Sequence, residues 1–243
     1  MANHTNALGM PIGFPVPDWT PCEPPPKTVL DGRYCRLEPV DIDAHAEGLL
    51  AAFQEDTQDR IWTYLPYGPL KSLDAVRDWM AKTCLGDDPH FFTLIDKRNG
   101  SIGGVASYLR IAPAVGSIEV GHINFAPRLQ KTAAATEAMF LMMQLVFEKL
   151  GYRRYEWKCD CLNAGSMGAA KRLGFTYEGT FRQATMYKGR NRDTAWFSIL
   201  DSEWPALREA FETWLAPDNF DSEGKQRVAL SDLTGKTRNS GTD

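Results

Sequence analysis

The sequence predicts an α/β fold, with a mixed central sheet flanked by helices, and three observations carry that prediction. Two apolar runs, residues 91–96 and 102–111, are joined by Lys97-Arg98-Asn99-Gly100, and Asn-Gly is hairpin turn chemistry. A strand over residues 117–125, a long helix from Thr132 and an alternating strand over residues 154–161 follow; a strand–helix–strand unit of this length implies a parallel pair beside the antiparallel meander. The chain has 243 residues with 43% hydrophobic and 11% aromatic content, ample for one large core.

Seven of the fifteen prolines fall within the first 30 residues, a density that opposes helix and internal strand alike. Residues 1–30 are expected to form an extended arm. Its Ile12, Phe14, Val16 and Trp19 would lie along the domain or along a neighbouring subunit, the latter implying a homodimer; a wholly disordered arm is the competing reading. Residues 33–40 form the first core strand after an Asp31-Gly32 turn. Asp43 is positioned to cap a helix through Ala46, Leu49, Leu50 and Phe53, with His45 facing solvent. Residues 59–70 pack Trp62, Tyr64 and Tyr67 among two prolines and a glycine, a loop that either walls a pocket or plugs the core. Ser72 or Asp74 opens a second helix, stopped near Gly86 and Pro89. Gly103-Gly104 marks a bulge or a close backbone approach.

Met139, Met142, Met143 and Val146 belong to the core along the long helix. Asn163 then caps a short helix closed by Gly174-Phe175, and residues 177–187 and 194–200 are the last strands. A helix from Ser202 or Pro205 completes a domain over residues 31–215, and the polar residues 216–243 are expected to be a disordered tail.

A net charge of −4 and a pI near 5.6 argue against nucleic acid as a partner. No segment reaches the roughly 18 apolar residues needed to span a bilayer, and the first residues lack a secretory pattern. The five cysteines, at 22, 35, 84, 159 and 161, have neither disulfide-framework nor zinc spacing. A cytoplasmic protein with reduced thiols, no membrane partner and no metal is expected, since the four histidines show no ligand spacing either.

The most informative stretch is residues 117–143. A strand closed by Pro127 gives way at Thr132 to Ala, Glu, Met and Leu, strong helix formers. The first turn of that helix is Ala133-Ala134-Ala135. Free N–H groups of a helix's first turn sit at the positive end of its dipole, so small residues there let an anionic ligand come close.

Gln130-Lys131-Thr132-Ala133-Ala134-Ala135 resembles the Gln/Arg-x-x-Gly-x-Gly/Ala loop with which GNAT-superfamily acetyltransferases hold coenzyme A, with Ala133 standing where glycine is usual. Residues 163–175, NAGSMGAAKRLGF, resemble the Asn-x-x-Ser and Leu-Gly-Phe of the Rim-type ribosomal-protein N-terminal acetyltransferase branch. Residues 117–122, SIEVGH, are similar to that branch's Glu-x-Gly-aromatic strand, with His122 in place of the aromatic. The resemblance spans roughly residues 33–200. It implies the GNAT acyl-CoA N-acyltransferase fold, acetyl-CoA as co-substrate, and acetyl transfer to a primary amine, either a peptide N-terminus or a small molecule. A catalytically silent acyl-CoA-binding or regulatory protein on the same scaffold is the alternative.

Direct attack on a thioester needs a neutral amine, whereas a model α-amino group titrates at about 7.7 to 8.0 and lysine near 10.4. Glu119, two residues before Gly121, is the candidate base, directly or through a water; a salt-bridged carboxylate is the competing reading. A backbone N–H of Ile123 or Phe125 is the natural donor to the developing oxyanion. Ser166 matches the family position credited with protonating the leaving thiolate, and Asn163 combines capping with a pantetheine contact. Lys188, Arg190 and Arg192 either solvate a hairpin turn or attract an acidic substrate.

Overall fold

The computed structural model describes residues 4–239. A short hairpin, β1 (His4–Thr5) and β2 (Pro11–Ile12), opens the chain. β3 (Leu30–Asp31) and β4 (Cys35–Pro39) turn about Gly32, and α1 (Ile42–Gln54) and α2 (Leu73–Trp79) follow, α2 continuing into a π-helical turn at Met80–Cys84. β5 (His90–Asp96), β6 (Ser101–Ala112) and β7 (Ser117–Phe125) form the meander. α3 (Ala133–Gln144) leads to β8 (Arg154–Asp160), α4 (Ala164–Arg172), β9 (Thr176–Tyr187), β10 (Arg190–Leu200), α5 (Trp204–Leu215) and α6 (Leu230–Asn239).

Eight strands form one sheet in the order β3-β4-β5-β6-β7-β8-β10-β9. Every neighbouring pair is antiparallel except β7 and β8, because α3 carries the chain back over the sheet between them. One apolar cluster packs α1, α2 and Trp62 against Phe91 and Val105. The other joins α3, α5 and Leu230 to Leu37, Leu94, Tyr108, Tyr155 and Phe197. Helices therefore cover both faces. α3 is buried nearly all round, including Met139, Met142 and Met143, so it is a core element rather than a surface helix.

A buried carboxylate fixes where α3 sits. Glu137 accepts the backbone N–H groups of Arg33, Tyr34 and Cys35 at 2.8, 2.6 and 2.8 Å, pinning the start of β4 to the first half of α3. Gly32 is required beside it, since a Cβ there would lie 2.4 Å from Glu137 Oε2.

Several expectations need correction. His45 does not face solvent: it is buried, with Nε2 3.1 Å from Glu38 and Nδ1 accepting from Asp41 N–H. The cap of α1 is Asp41, not Asp43. The arm is not a simple extended run, for it starts with the β1–β2 hairpin, and from Trp19 onward it docks on its own domain. Trp19 Nε1–H donates to Ala114 O at 2.9 Å, and Arg153 lies over its ring. Ile12, Phe14 and Val16 stay exposed. The tail expected to be disordered instead packs Phe220 and Leu230 on the main core and carries α6; residues 240–243 lie outside the described residues. Both readings of the glycine pair hold: the β5–β6 register slips at Gly103, a bulge, and Gly104 adopts φ +142° where a Cβ would lie 2.1 Å from Asn124 O, a close approach of β6 to β7. No helix among the described residues is long and apolar enough to cross a membrane.

Glu137→Ala leaves three inward-facing N–H groups without their acceptor. It should cost about 3 kcal/mol or more, read as a lowered midpoint in urea with an unchanged m-value.

Candidate active site

β7 and β8 pair over only four rungs, from Ser117–Arg154 to Val120–Trp157. Beyond them the strands diverge. His122, at φ +49°, and a register shift between Val105 and Ser107 bend β7 toward β6, and β8 follows β10 instead. The gap opens into a cavity of about 1430 Å³. Its walls include residues 119–125 of β7, residues 157–160 of β8, residues 130–136 at the start of α3, one face of α4 and residues 60–61 and 64–66 of the aromatic loop.

This cavity is lined by all of the residues expected in catalysis or cofactor binding: Glu119, Ile123, Phe125, Gln130, Lys131, Thr132, Ala133, Ala134, Ala135, Asn163 and Ser166. Thr132 is the N-cap of α3; its hydroxyl accepts Ala135 N–H at 3.2 Å and donates to Leu129 O at 2.7 Å. The N–H groups of Ala133 and Ala134 have no partner among the described residues. They are free donors at the positive end of the helix dipole, with Ala133 only half-buried, a cradle that suits an anion. The positive φ in this loop falls on Lys131, at +62°, and not on Ala133, which explains why alanine serves where a glycine is usual. Gln130 reaches back to Phe125 O at 2.9 Å and ties the loop to the end of β7. The cradle and the strand gap beside it therefore fit a pantetheine diphosphate.

On the other side of the gap, Glu119 is buried in an ion-pair chain. Its Oε2 accepts from Arg110 at 2.8 Å and Lys158 at 2.9 Å; Lys158 also meets Glu156 at 2.7 Å, and Glu156 meets Arg154 at 2.7 Å. Burial pushes the Glu119 carboxyl above its usual range, against the opposing pull of Lys158 and Arg110. Glu119 Oε1 has no ion-pair or hydrogen-bond partner among the described residues. His122 is held neutral down to about pH 4 by burial and by Arg110, and its Nδ1 lies 3.1 Å from Tyr67 Oη.

Asn163 Oδ1 accepts Ser166 N–H at 3.0 Å, which caps α4. Ser166 Oγ accepts Trp157 Nε1–H at 2.9 Å, and its hydroxyl also stands within hydrogen-bonding reach of the buried Cys159 sulfur. The aromatic loop does both jobs proposed for it. Trp62 plugs the core against Phe53 at 4.8 Å between ring centroids, while Tyr64 lines the cavity and donates to Leu162 O. The basic cluster divides: Lys188 donates to Trp62 O, whereas Arg192 borders the cavity.

The profile of the acetyltransferase (GNAT) domain matches residues 35–176, more than half of the chain. The chain belongs to the GNAT acetyltransferase family. A GCN5-related N-acetyltransferase from Brucella melitensis is similar at 47% identity and TM-score 0.89, over 90% of this chain and 100% of that one. A probable GNAT-family acetyltransferase from Chromobacterium violaceum ATCC 12472 is similar at 41% identity and TM-score 0.75, over 81% of this chain and 98% of that one. RimL, a ribosomal L7/L12 α-N-protein acetyltransferase in complex with coenzyme A, shares the fold at 17% identity and TM-score 0.59, over 71% of this chain and 98% of that one. No curated protein matches the chain. GNAT enzymes use acetyl-CoA and act on amine or peptide acceptors.

Sequence reasoning missed Arg110, Lys158 and the cavity wall formed by Arg172 and residues 214–226. Alternation in β8 puts Lys158 and Glu156 on one face, but only the β7–β8 register brings them beside Glu119.

Ala133→Glu sets a carboxylate against the cradle. Calorimetric titration of the folded variant should show acetyl-CoA affinity reduced at least about 100-fold, as expected for a like charge in a close-contact site.

Proposed function

We propose that this GNAT protein transfers the acetyl group of acetyl-CoA to a primary amine, on a peptide N-terminus or a small molecule, by direct attack. One observation carries the reading: a single cavity joins an anion cradle at the start of α3, a gap between diverging parallel strands, and a buried carboxylate with one free oxygen. Acetyl-CoA supplies the activated acyl group. The N–H groups of Ala133 and Ala134, with Gln130, Lys131, Thr132 and Ala135 around them, hold its diphosphate, and Asn163 meets the pantetheine arm.

Glu119 Oε1 takes the proton of the attacking ammonium, directly or through a water. Arg110 and Lys158 hold the other oxygen and so fix the carboxylate's orientation. A backbone N–H of Ile123 or Phe125 faces the negative charge that develops on the thioester oxygen. Ser166 serves the departing thiolate as its proton donor.

Purified protein offered acetyl-CoA with a panel of amines and N-terminal peptides should release coenzyme A in an amine-dependent way. Retained acetyl-CoA binding with no release from any acceptor would favour a non-catalytic acyl-CoA-binding protein.

The two proton transfers separate by pH. Because Glu119 must be ionised to accept a proton and burial raises its pKa, wild-type kcat/KM should fall on the acid side through a pKa above the usual carboxylate value of about 4.3. Glu119→Gln should lose about 10²-fold in turnover, most at low pH, and recover part of it as rising pH deprotonates the amine. Ser166→Ala should lose about tenfold, keep its acetyl-CoA affinity, and show no such rescue.

A further inference from the structure

The cavity does not end at the cradle. Beyond the start of α3 it is bounded by residues that follow the family-matched region: Trp214, Phe220, Lys225 and Gln226. These belong to a built wall. Asn219 clasps both ends of the segment, donating from Nδ2 to Trp214 O and Val228 O and accepting Val228 N–H on Oδ1. Phe220 bridges to Gln226, Gln226 accepts Trp214 Nε1–H at 2.8 Å, and Phe220 packs edge-on to Trp214 and Tyr34.

Arg172 lies against this wall. Its guanidinium stacks over the Trp214 ring at 4.9 Å and donates to Thr136 Oγ1, in the first turn of α3, at 3.1 Å. No carboxylate among the described residues pairs with it. The two carboxylates on the wall are otherwise disposed: Asp221 Oδ1 caps its own loop by accepting Glu223 and Lys225 N–H, and Glu223 is exposed. A half-buried guanidinium, covered on one face by a ring and lacking a counter-ion, is costly unless an anion completes it. Burial depresses its pKa accordingly.

We propose that Arg172 and the segment from Trp214 to Gln226 form the nucleotide end of the acyl-CoA site, with Arg172 taking a phosphate and Lys225 supporting it from the rim. This rests on the acetyl-CoA reading above. The phosphate is either the ribose 3′-phosphate or the diphosphate, and two ligands distinguish them.

Calorimetric titration of the full chain with free coenzyme A and with 3′-dephospho-coenzyme A tests the assignment. Arg172→Gln should bind coenzyme A about tenfold more weakly, with Arg172→Lys retaining most of the affinity. A loss confined to coenzyme A assigns the 3′-phosphate; a loss shared by both ligands and rescued by lysine assigns the diphosphate. Lys225→Ala, at an exposed position that cannot disturb folding, should cost about threefold. Unchanged affinity in Arg172→Gln and Lys225→Ala would overturn the proposal, and if Arg172→Gln does not fold, Lys225→Ala decides by the same criterion. Wild-type protein that binds neither ligand would overturn the acetyl-CoA reading itself, whereas wild-type binding unaffected by these variants removes only the nucleotide-end assignment.

Discussion

The rest of the structure depends on a parallel strand pair that stops after four rungs. Sheets gain from extending their ladders, so two neighbouring strands that part must each find other partners for their backbone groups. β7 does so by bending onto β6, through His122 at positive φ and the glycine pair of β6; β8 does so by continuing along β10. The gap is thus closed at its floor by hydrogen bonds and open at its top. α3 and α4 begin at that opening, and each presents its N-terminal turn there, capped by Thr132 and Asn163. A cavity with polarised N–H groups on one side follows from the topology before any side chain is considered.

The side chains then polarise the other half. A lone buried carboxylate would be driven to its neutral form, and a lone buried lysine likewise. Here Glu119, Lys158, Glu156 and Arg154 alternate in sign across β7 and β8, and Lys158 further lies 3.7 Å from the centre of the Trp196 ring. Each charge has a counter-charge, and the chain ends on Arg110, largely exposed, and on Glu178, paired with Arg154. The network holds the Glu119 carboxylate by one oxygen and leaves the other unspent.

Much of this was legible because local rules governed it. The limits of β7, the start of α3 at Thr132 and the cap at Asn163 follow from proline, helix-former and amide chemistry within a few residues. The mixed sheet followed from the length of one crossover. What escaped depended on contacts far apart in sequence. His45 carries no sign of the Glu38 that buries it, since the helical pattern alone sets it outside. The ion-pair chain needs the register of two strands whose connection is a whole helix. The segment after Leu215 looked unstructured because its anchors are few. Phe220, Asn219 and Leu230 suffice only because Tyr34 and Trp214 already stand ready to receive them.

That segment joins the two extremities of the folded domain at one place. Tyr34 donates to Leu215 O and touches Phe220, while Glu137 holds the backbone of the same tyrosine from within α3. The cavity wall is therefore made from an early strand, a central helix and the last part of the chain. During synthesis, the sheet through β8 and the cradle at α3 can form while the far wall is still inside the ribosome. The cavity gains its full enclosure only when residues near 226 have emerged, some fifty residues after the end of the family-matched region at residue 176, so the binding site is completed later than the domain that carries its cradle.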